Sequence, residues 1–379
     1  MFTNFLFYKI FIFLFVNKIK CKLGEYISLP FEESYGRFEV TLGFGSPVQK
    51  RQYIIDLSAE YCWNHIGIYN PTKSSYSKEI GRALIPVDNS EIKTYVRYQD
   101  TFTLYYTNNT YLKLTNFPFL FYEQPTSEFQ TIGITFSFTD PDYSITDVLY
   151  KTKTIPKRQF AIHQNNFTHG ELIFGEINDN YTTGKWVSSC KVNKTFKKWG
   201  CNMESIMINS VKYQVNDYAF FNSMNDKIFV PKTFMDFLTE TIFKPFIEAK
   251  TCEKSVINQV FVIVCEWRVV KFFDDLVLNF DNGSKLIIVK DIMFTRFFDK
   301  CLFVIKNQGT KRNSWEIGTV AFKNHTIVFD YENENITFYS SVMQITNKMK
   351  YLFSFIVINS FVLMIFIVLE LLILYKNKK

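Results

Sequence analysis

The sequence predicts an all-β body built from two related halves, followed by one membrane-spanning helix. Short alternating or apolar runs, broken by Gly, Pro, Asn and Asp, extend from Tyr35 to about Tyr339 and are typical of strands joined by turns. An apolar run that ends in Asp or Asn occurs twice, at Asp56 and at Asn222, which indicates an internal duplication. A long apolar run lies near the C-terminus.

Helical periodicity is rare in this body. The best candidate is the segment 231–246, where a Pro stands at a plausible helix start and Phe and Leu recur near helical spacing. We therefore expect a few short helices between the strands.

The two ends of the chain are apolar for different reasons. Residues 1–21 are predicted to be a signal peptide, because their apolar run is too short to span a bilayer comfortably. Residues 351–375 are long enough to cross a hydrocarbon core as a helix, and the basic tail 376–379 points to the cytosol. Few polar residues interrupt this run, which disfavours the alternative of a buried core helix. We expect a single-pass type I protein of the secretory pathway or cell surface, with a lumenal or extracellular body.

The charge pattern excludes one class of partner. The net charge of +7 is not concentrated in any folded segment, so we expect a solvated surface and no nucleic-acid binding. Asn-x-Ser/Thr triplets, which are common by chance in an Asn-rich chain, are candidate glycosylation sites and fit a lumenal body. They begin at Asn108, Asn166, Asn180, Asn193, Asn282, Asn324 and Asn335.

Cysteine usage agrees with export. If Cys21 leaves with the signal peptide, an even set remains for an oxidising compartment. We predict disulfides between Cys190 and Cys201 and between Cys265 and Cys301, because each pair flanks a candidate hairpin. The chain has no Cys-x-x-Cys motif and no paired His spacing, so we expect no metal and no cofactor.

We expect the protein to act as a monomer.

Four segments, in the right order and at the right intervals, resemble the pepsin-like aspartic peptidases. They are Gly45-Ser46-Pro47-Val48-Gln49, the stretch from Asp56 to Trp63, Gly170-Glu171-Leu172-Ile173-Phe174-Gly175, and Trp315-Glu316-Ile317-Gly318-Thr319-Val320. The resemblance implies a bilobal pepsin-like fold, with two β-barrel-like lobes at 35–180 and 181–342 around a central cleft. It also implies one acid from each lobe at the floor of that cleft.

The chemistry of that family needs both acids. Two carboxyl groups about 3 Å apart cannot both ionise, so they share one proton. One carboxyl group activates a water molecule while the other donates a proton to the substrate carbonyl. Loss of one titratable partner prevents this cycle.

This chain departs from the family's Asp-Thr-Gly or Asp-Ser-Gly pattern in both halves. Asp56 is retained as a catalytic acid, whereas Asn222 occupies the position of the second Asp and is predicted to be non-functional, because an amide cannot carry the shared proton. Ser58, Ser223 and Met224 are predicted to line the cleft floor, with the long side chain of Met224 disturbing it most.

Two further segments bear on activity. Tyr98 begins a segment that resembles the family's flap motif Tyr-Gly-Asp-Gly-Ser, but both glycines are missing, so we expect a degenerate flap at Tyr98. Asp226 is the alternative to Asn222 as second acid. Because the interval from Asn222 to Pro231 equals the family's interval from its second Asp to Pro, a shifted alignment to Asp226 is disfavoured.

The sequence therefore predicts a membrane-anchored homologue of the aspartic peptidases that is catalytically inactive and binds a peptide or protein in its cleft. Extended peptides are held largely by backbone hydrogen bonds and side-chain pockets, which do not require both acids. The alternative is an active aspartic-type endopeptidase, as family membership alone suggests.

Overall fold

The computed structural model describes residues 26–86, 92–106, 110–123, 130–136, 144–164, 168–183, 185–257, 259–307 and 314–340. The predicted signal peptide, membrane-spanning helix and cytosolic tail lie outside these ranges, as do Asn108 and Asn166. Within the described ranges, no helix has the length and apolarity needed to cross a membrane.

The body is mostly β, as the sequence predicts. The strands of the N-terminal half are β1 Tyr26–Ser34, β2 Arg37–Phe44, β3 Gln49–Asp56, β4 Trp63–His65, β5 Lys78–Pro86, β6 Ile92–Tyr105, β7 Tyr111–Tyr122, β8 Thr131–Gly133, β9 Gln159–Gln164 and β10 His169–Gly175. Those of the C-terminal half are β11 Trp186–Lys191, β12 Gly200–Ile208, β13 Val211–Phe221, β14 Ile228–Phe229, β15 Cys252–Ile257, β16 Val260–Glu266, β17 Leu276–Phe280, β18 Lys285–Ile288, β19 Phe294–Phe297, β20 Lys300–Phe303, β21 Ile305–Lys306, β22 Trp315–Ile317, β23 His325–Asp330 and β24 Asn335–Ser340.

The described helices are short. They are α1 Ile145–Lys151, α2 Lys232–Phe237, α3 Lys244–Glu248 and α4 Lys290–Met293, a π-helical turn Leu238–Ile242, and the 3-10 turns Pro71–Lys73, Asp179–Tyr181, Lys194–Phe196, Trp267–Phe272, Asp281–Gly283 and Thr319–Phe322. The predicted helix at 231–246 is present as α2, the π turn and α3. It is interrupted at Phe243, two residues before Pro245, which lacks the backbone N–H that a continuous helix would need.

The same strand arrangement occurs once in each half, which confirms the internal duplication. In the N-terminal half β3 runs parallel to β8, while β4 runs antiparallel to β8 and parallel to β7. In the C-terminal half β13 runs parallel to β22, while β14 runs antiparallel to β22 and parallel to β21. Asp56 ends β3 and Asn222 follows β13, so the two residues occupy equivalent positions.

One sheet joins the two halves. In it β9 of the N-terminal half pairs antiparallel with β23 of the C-terminal half, and β24 and β11 continue on the far side. The sheet also contains β1, which begins at Tyr26 and pairs with β10 and β2. The folded body therefore starts before Tyr35, the predicted beginning of the N-terminal lobe.

A buried tryptophan packs at the junction between the two halves. Trp199, between β11 and β12, has no exposed surface, and its indole Nε1 donates a hydrogen bond of 2.8 Å to the carbonyl oxygen of Ile134 in the N-terminal half. Its ring packs on Phe136 and Phe160 from the N-terminal half and on Tyr331 from the C-terminal half. The hydrophobic core is thus continuous between the halves.

One of the two predicted disulfides is present and the other is wrong. Cys190 and Cys201 are bonded, as the hairpin spacing predicts. Cys265 is bonded to Cys252 and not to Cys301. Cys265 lies on β16, between Cys252 on β15 and Cys301 on β20, and it is the register partner of both. Sequence spacing cannot show which neighbour is bonded when a central strand offers two.

The described sequons differ in exposure. Asn180, Asn282 and Asn324 are exposed, whereas Asn193 and Asn335 are half-buried. The side chain of Asn193 also accepts a hydrogen bond of 3.1 Å from the backbone N–H of Thr195. Glycosylation of these five residues stays a prediction.

Candidate active site

Asp56 lies at the end of β3 with its carboxylate held by the following turn. One oxygen, Oδ1, accepts hydrogen bonds from the backbone N–H of Ser58 at 2.8 Å, the hydroxyl of Ser58 at 2.6 Å and the backbone N–H of Ala59 at 3.2 Å. The residue is 9% exposed. Replacement of the family's Gly by Ser58 therefore keeps the backbone contact to Asp56 and adds a hydroxyl donor.

Asn222 reproduces this arrangement in the C-terminal half. Its Oδ1 accepts a hydrogen bond of 2.8 Å from the backbone N–H of Met224, the counterpart of the Ser58 contact to Asp56. Both Asn222 and Met224 are half-buried. The loop thus keeps its backbone conformation around the predicted second acid position. What has changed is the side-chain group, which is an amide where the family has a carboxyl group.

The amide nitrogen of Asn222 contacts a buried acid that the sequence did not single out. Nδ2 donates a hydrogen bond of 3.0 Å to Oε2 of Glu316, a residue of β22 that is only 2% exposed. The available signal was an acid inside the otherwise apolar run from Trp315 to Ile317. The contact between Glu316 and Asn222 depends on the pairing of β22 with β13, and the spacing of residues along the sequence does not reveal that pairing.

Ser223 ties the two loops together. Its hydroxyl donates to the carbonyl oxygen of Ile55 at 2.6 Å and accepts from the backbone N–H of Leu57 at 3.0 Å. Ser223 is fully buried, and Ile55 and Leu57 flank Asp56 in the chain. The equivalent residue in the N-terminal half is Leu57, whose side chain has no hydroxyl and cannot form the reciprocal hydrogen bond to the other loop.

Two glycines let the strands approach these loops closely. A Cβ added to Gly133 would lie 2.5 Å from the carbonyl oxygen of Ala59, and one added to Gly318 would lie 2.2 Å from that of Lys227. Gly133 follows the β8 partner of Ile55, and Gly318 follows the matching residue of β22. Only glycine fits at either position.

Tyr98, the predicted flap residue, lies on a long strand, and its assignment to a flap stays a prediction. Tyr98 lies inside β6, with Glu79 of β5 and Phe119 of β7 as register partners, and is half-buried. Asp100, two residues later, is 1% exposed and accepts a hydrogen bond from the Tyr69 hydroxyl. Without the family's two glycines, this aromatic and hydroxyl-rich segment continues as a strand.

Asp226, the alternative second acid, contacts Lys227 and Gly36. Its carboxylate lies 2.8 Å from Nζ of Lys227, and its Cβ packs so closely on Gly36, at the β1–β2 turn, that no Cβ fits there. These contacts agree with the alignment that places Asn222 at the acid position.

A cavity of about 170 Å³ lies elsewhere in the C-terminal half, between α2 and the β15–β16 hairpin. Its lining includes Met235, Lys254 and Phe261 and none of the residues around Asp56. The described residues contain no cluster of His, Cys, Asp and Glu that could hold a metal ion.

Comparisons with known proteins agree with the resemblance seen in the sequence. The family model for the eukaryotic aspartyl protease matches residues 53–341, which is more than half of the chain. The chain therefore belongs to the eukaryotic aspartyl protease family. No curated protein matches it significantly.

Solved structures show the same fold at low sequence identity. An aspartic proteinase from Irpex lacteus aligns with a TM-score of 0.66 at 14% identity, covering 83% of this chain and 97% of the other. Basic 7S globulin from soybean aligns with a TM-score of 0.67 at 14% identity, covering 84% and 97%. Conglutin gamma, a basic 7S globulin from lupine seeds, gives 0.67 at 14%, covering 84% and 95%. At this identity the likeness shows the pepsin-like fold alone.

Proposed function

We propose that this protein is a non-catalytic member of its family that binds an extended peptide or protein segment between its two halves without cleaving it. The observation that carries the proposal is the amide of Asn222 at the second acid position, bonded on one side to the loop backbone and on the other to Glu316. An amide cannot take up and release the proton that a carboxyl pair shares.

Retention of the surrounding frame supports binding. Ser223 holds the two loops together, and the turns after Asp56 and Asn222 keep equivalent backbone contacts. A site formed this way can still hold an extended segment through backbone hydrogen bonds and pockets. The similar structures include one named as a proteinase and two named as globulins, so the fold by itself does not decide for hydrolysis.

Hydrolysis is the second candidate, and one observation favours it. Glu316 places a buried carboxylate within hydrogen-bond distance of Asn222, so the region holds a second acid besides Asp56. In this alternative Asp56 activates water and Glu316 supplies the second carboxyl group.

One experiment separates the candidates. The purified full-length chain is incubated with a diverse peptide library at acidic and neutral pH, and mass spectrometry identifies both retained peptides and new peptide ends. We expect retained, intact peptides and no new ends. New ends that disappear with Asp56→Ala would overturn the proposal, and their loss with Glu316→Gln as well would establish the second candidate. Absence of retained peptides under all conditions would also count against binding.

We also propose that the protein is a glycosylated, single-pass membrane protein of the secretory pathway or cell surface, anchored through residues 351–375, and a monomer. The two disulfides support an oxidising compartment. A glycosidase-induced mobility shift of the expressed chain tests its exposure to the lumen. An unshifted chain that is released by carbonate washing would contradict both the orientation and the anchor.

A further inference from the structure

Glu316 is a buried acid in a strand that otherwise carries apolar residues at this point. It is 2% exposed, and its register partners are Phe220 on β13 and Phe229 on β14. Burial of a carboxylate is costly unless donors compensate it. The amide N–H of Asn222, 3.0 Å away, is one such donor.

The matching position in the other half carries no acid. Thr131 on β8 pairs with Ile54 on β3, as Glu316 pairs with Phe220, and both partners stand two residues before Asp56 or Asn222. Thr131 is buried and carries a neutral hydroxyl group. The C-terminal half thus carries a buried acid on the neighbouring strand, whereas the N-terminal half carries its acid, Asp56, at the end of β3.

We infer that Glu316 is a positioning residue that fixes Asn222 as an amide donor, and that an acid placed at position 222 would pair with Glu316 instead of Asp56. The amide orientation follows from its two contacts: Oδ1 accepts from the Met224 N–H, so Nδ2 is the atom that must face Glu316. The inference builds on the proposed function, but its test measures stability and needs no ligand.

The reason lies in carboxyl pairing. Asn222→Asp would place a carboxylate oxygen about 3 Å from Oε2 of Glu316, and two carboxyl groups this close share one proton, which raises the pKa of one of them. A raised pKa in the folded state means that folding takes up a proton. The variant is therefore destabilised at neutral pH, and it regains stability as the pH falls towards the ordinary range of carboxyl groups.

Other charged groups on the neighbouring elements are common to all variants. Asp226 and Lys227 lie in the turn that leads into β14, and Lys306 lies on β21 next to Phe229. Lys227 is bonded to Asp226 and to the hydroxyl of Thr295. Because these groups and Asp56 are unchanged between Asn222→Asp and its double variant with Glu316→Gln, their titration cancels in the difference.

The test uses thermal unfolding of the full-length chain between about pH 4.5 and pH 7.5. We expect Asn222→Asp to lower the Tm by about 2–4 °C near neutral pH and to approach the parent value at the acidic end. Adding Glu316→Gln should remove this pH-dependent deficit, because the introduced side-chain amide can donate a hydrogen bond to the new carboxylate.

The matched control is Asn222→Asp combined with Asp56→Asn. If the new acid pairs with Glu316, this control keeps the pH-dependent deficit. Relief by Asp56→Asn and not by Glu316→Gln would overturn the inference, as would a deficit that does not change with pH. If Asn222→Asp folds poorly, Asn222→Ala serves instead. It removes one donor from Glu316, so a pH-dependent part of its deficit should shrink at acidic pH and be absent in combination with Glu316→Gln. The loss of the contact to the Met224 N–H remains at every pH.

Discussion

The two halves share one strand arrangement but place their polar groups differently. In the N-terminal half the acid is Asp56, at the end of β3, and the neighbouring strand carries the neutral Thr131. In the C-terminal half the loop offers Asn222 and the strand carries the buried Glu316. Both halves have the same strand pairing, and both have a glycine, Gly133 or Gly318, where a strand lies too close to the loop for a Cβ atom. Strand pairing thus constrains the backbone much more tightly than it constrains which side chain carries charge.

The halves also differ in how they are stabilised. Within the described residues, both disulfides lie in the C-terminal half. In the N-terminal half, two buried tyrosines donate hydrogen bonds to buried partners, Tyr53 to Asn64 and Tyr69 to Asp100. Burial raises the pKa of both tyrosines well above their ordinary value, so both stay protonated donors at any physiological pH.

The largest effect is expected at the junction of the halves. Trp199→Ala removes a fully buried ring and its hydrogen bond to Ile134, which should cost about 3–5 kcal/mol of unfolding free energy. Urea denaturation of the full-length chain measures this. Because Trp199 contacts both halves, both should lose hydrogen-exchange protection.

Trp267→Ala is the control for that prediction. Trp267 is half-buried and lies in the C-terminal half alone, so its removal should leave exchange in the N-terminal half unchanged. Loss of protection confined to one half in Trp199→Ala would show that the halves are stabilised independently.

A smaller effect should be confined to the C-terminal half. Replacing Cys252 and Cys265 by Ser opens the 13-residue link between β15 and β16 and should cost about 3 kcal/mol. Backbone amide hydrogen exchange should become faster in this hairpin but not in β2 or β3. A matched variant replaces Cys190 and Cys201, which are separated by 11 residues, and should cost a similar amount while loosening β11 and β12 instead. Equal loosening of all strands in both variants would contradict this division.

The smallest of these effects concerns the single hydroxyl between the loops. Ser223→Ala leaves the buried N–H of Leu57 and carbonyl of Ile55 without their shared partner, at a cost of about 1–3 kcal/mol. Exposed Ser75→Ala should change the unfolding free energy by less than about 0.5 kcal/mol. A cost for Ser223→Ala no larger than that of the control would mean that the loops do not depend on this contact.

The sequence predicts much of this architecture because local patterns specify it. The duplicated apolar runs, the helical segment after Pro231 and the Cys190–Cys201 hairpin link were all visible in short windows. The family pattern also located Asp56 and Asn222 at equivalent positions.

What the sequence missed depends on contacts between distant strands. The role of Glu316 appears only when β22 lies beside β13, and the partner of Cys265 is decided by which of two neighbouring strands is bonded. The segment that begins at Tyr98 lies inside β6 and makes no tight turn, because both glycines of the family motif are missing. Spacing along the chain carries no direct information about any of these.

The free cysteines within the described residues give each half its own reporter of unfolding. Cys62 lies in the N-terminal half and Cys301 in the C-terminal half, and both are buried. Burial raises the pKa of the Cys62 thiol to about 12 and that of the Cys301 thiol to about 11, so neither forms the reactive thiolate while its surroundings are intact. An alkylating reagent would therefore modify each cysteine only when the half that contains it unfolds. The relative rates of modification of Cys62 and Cys301 would then show which half unfolds first.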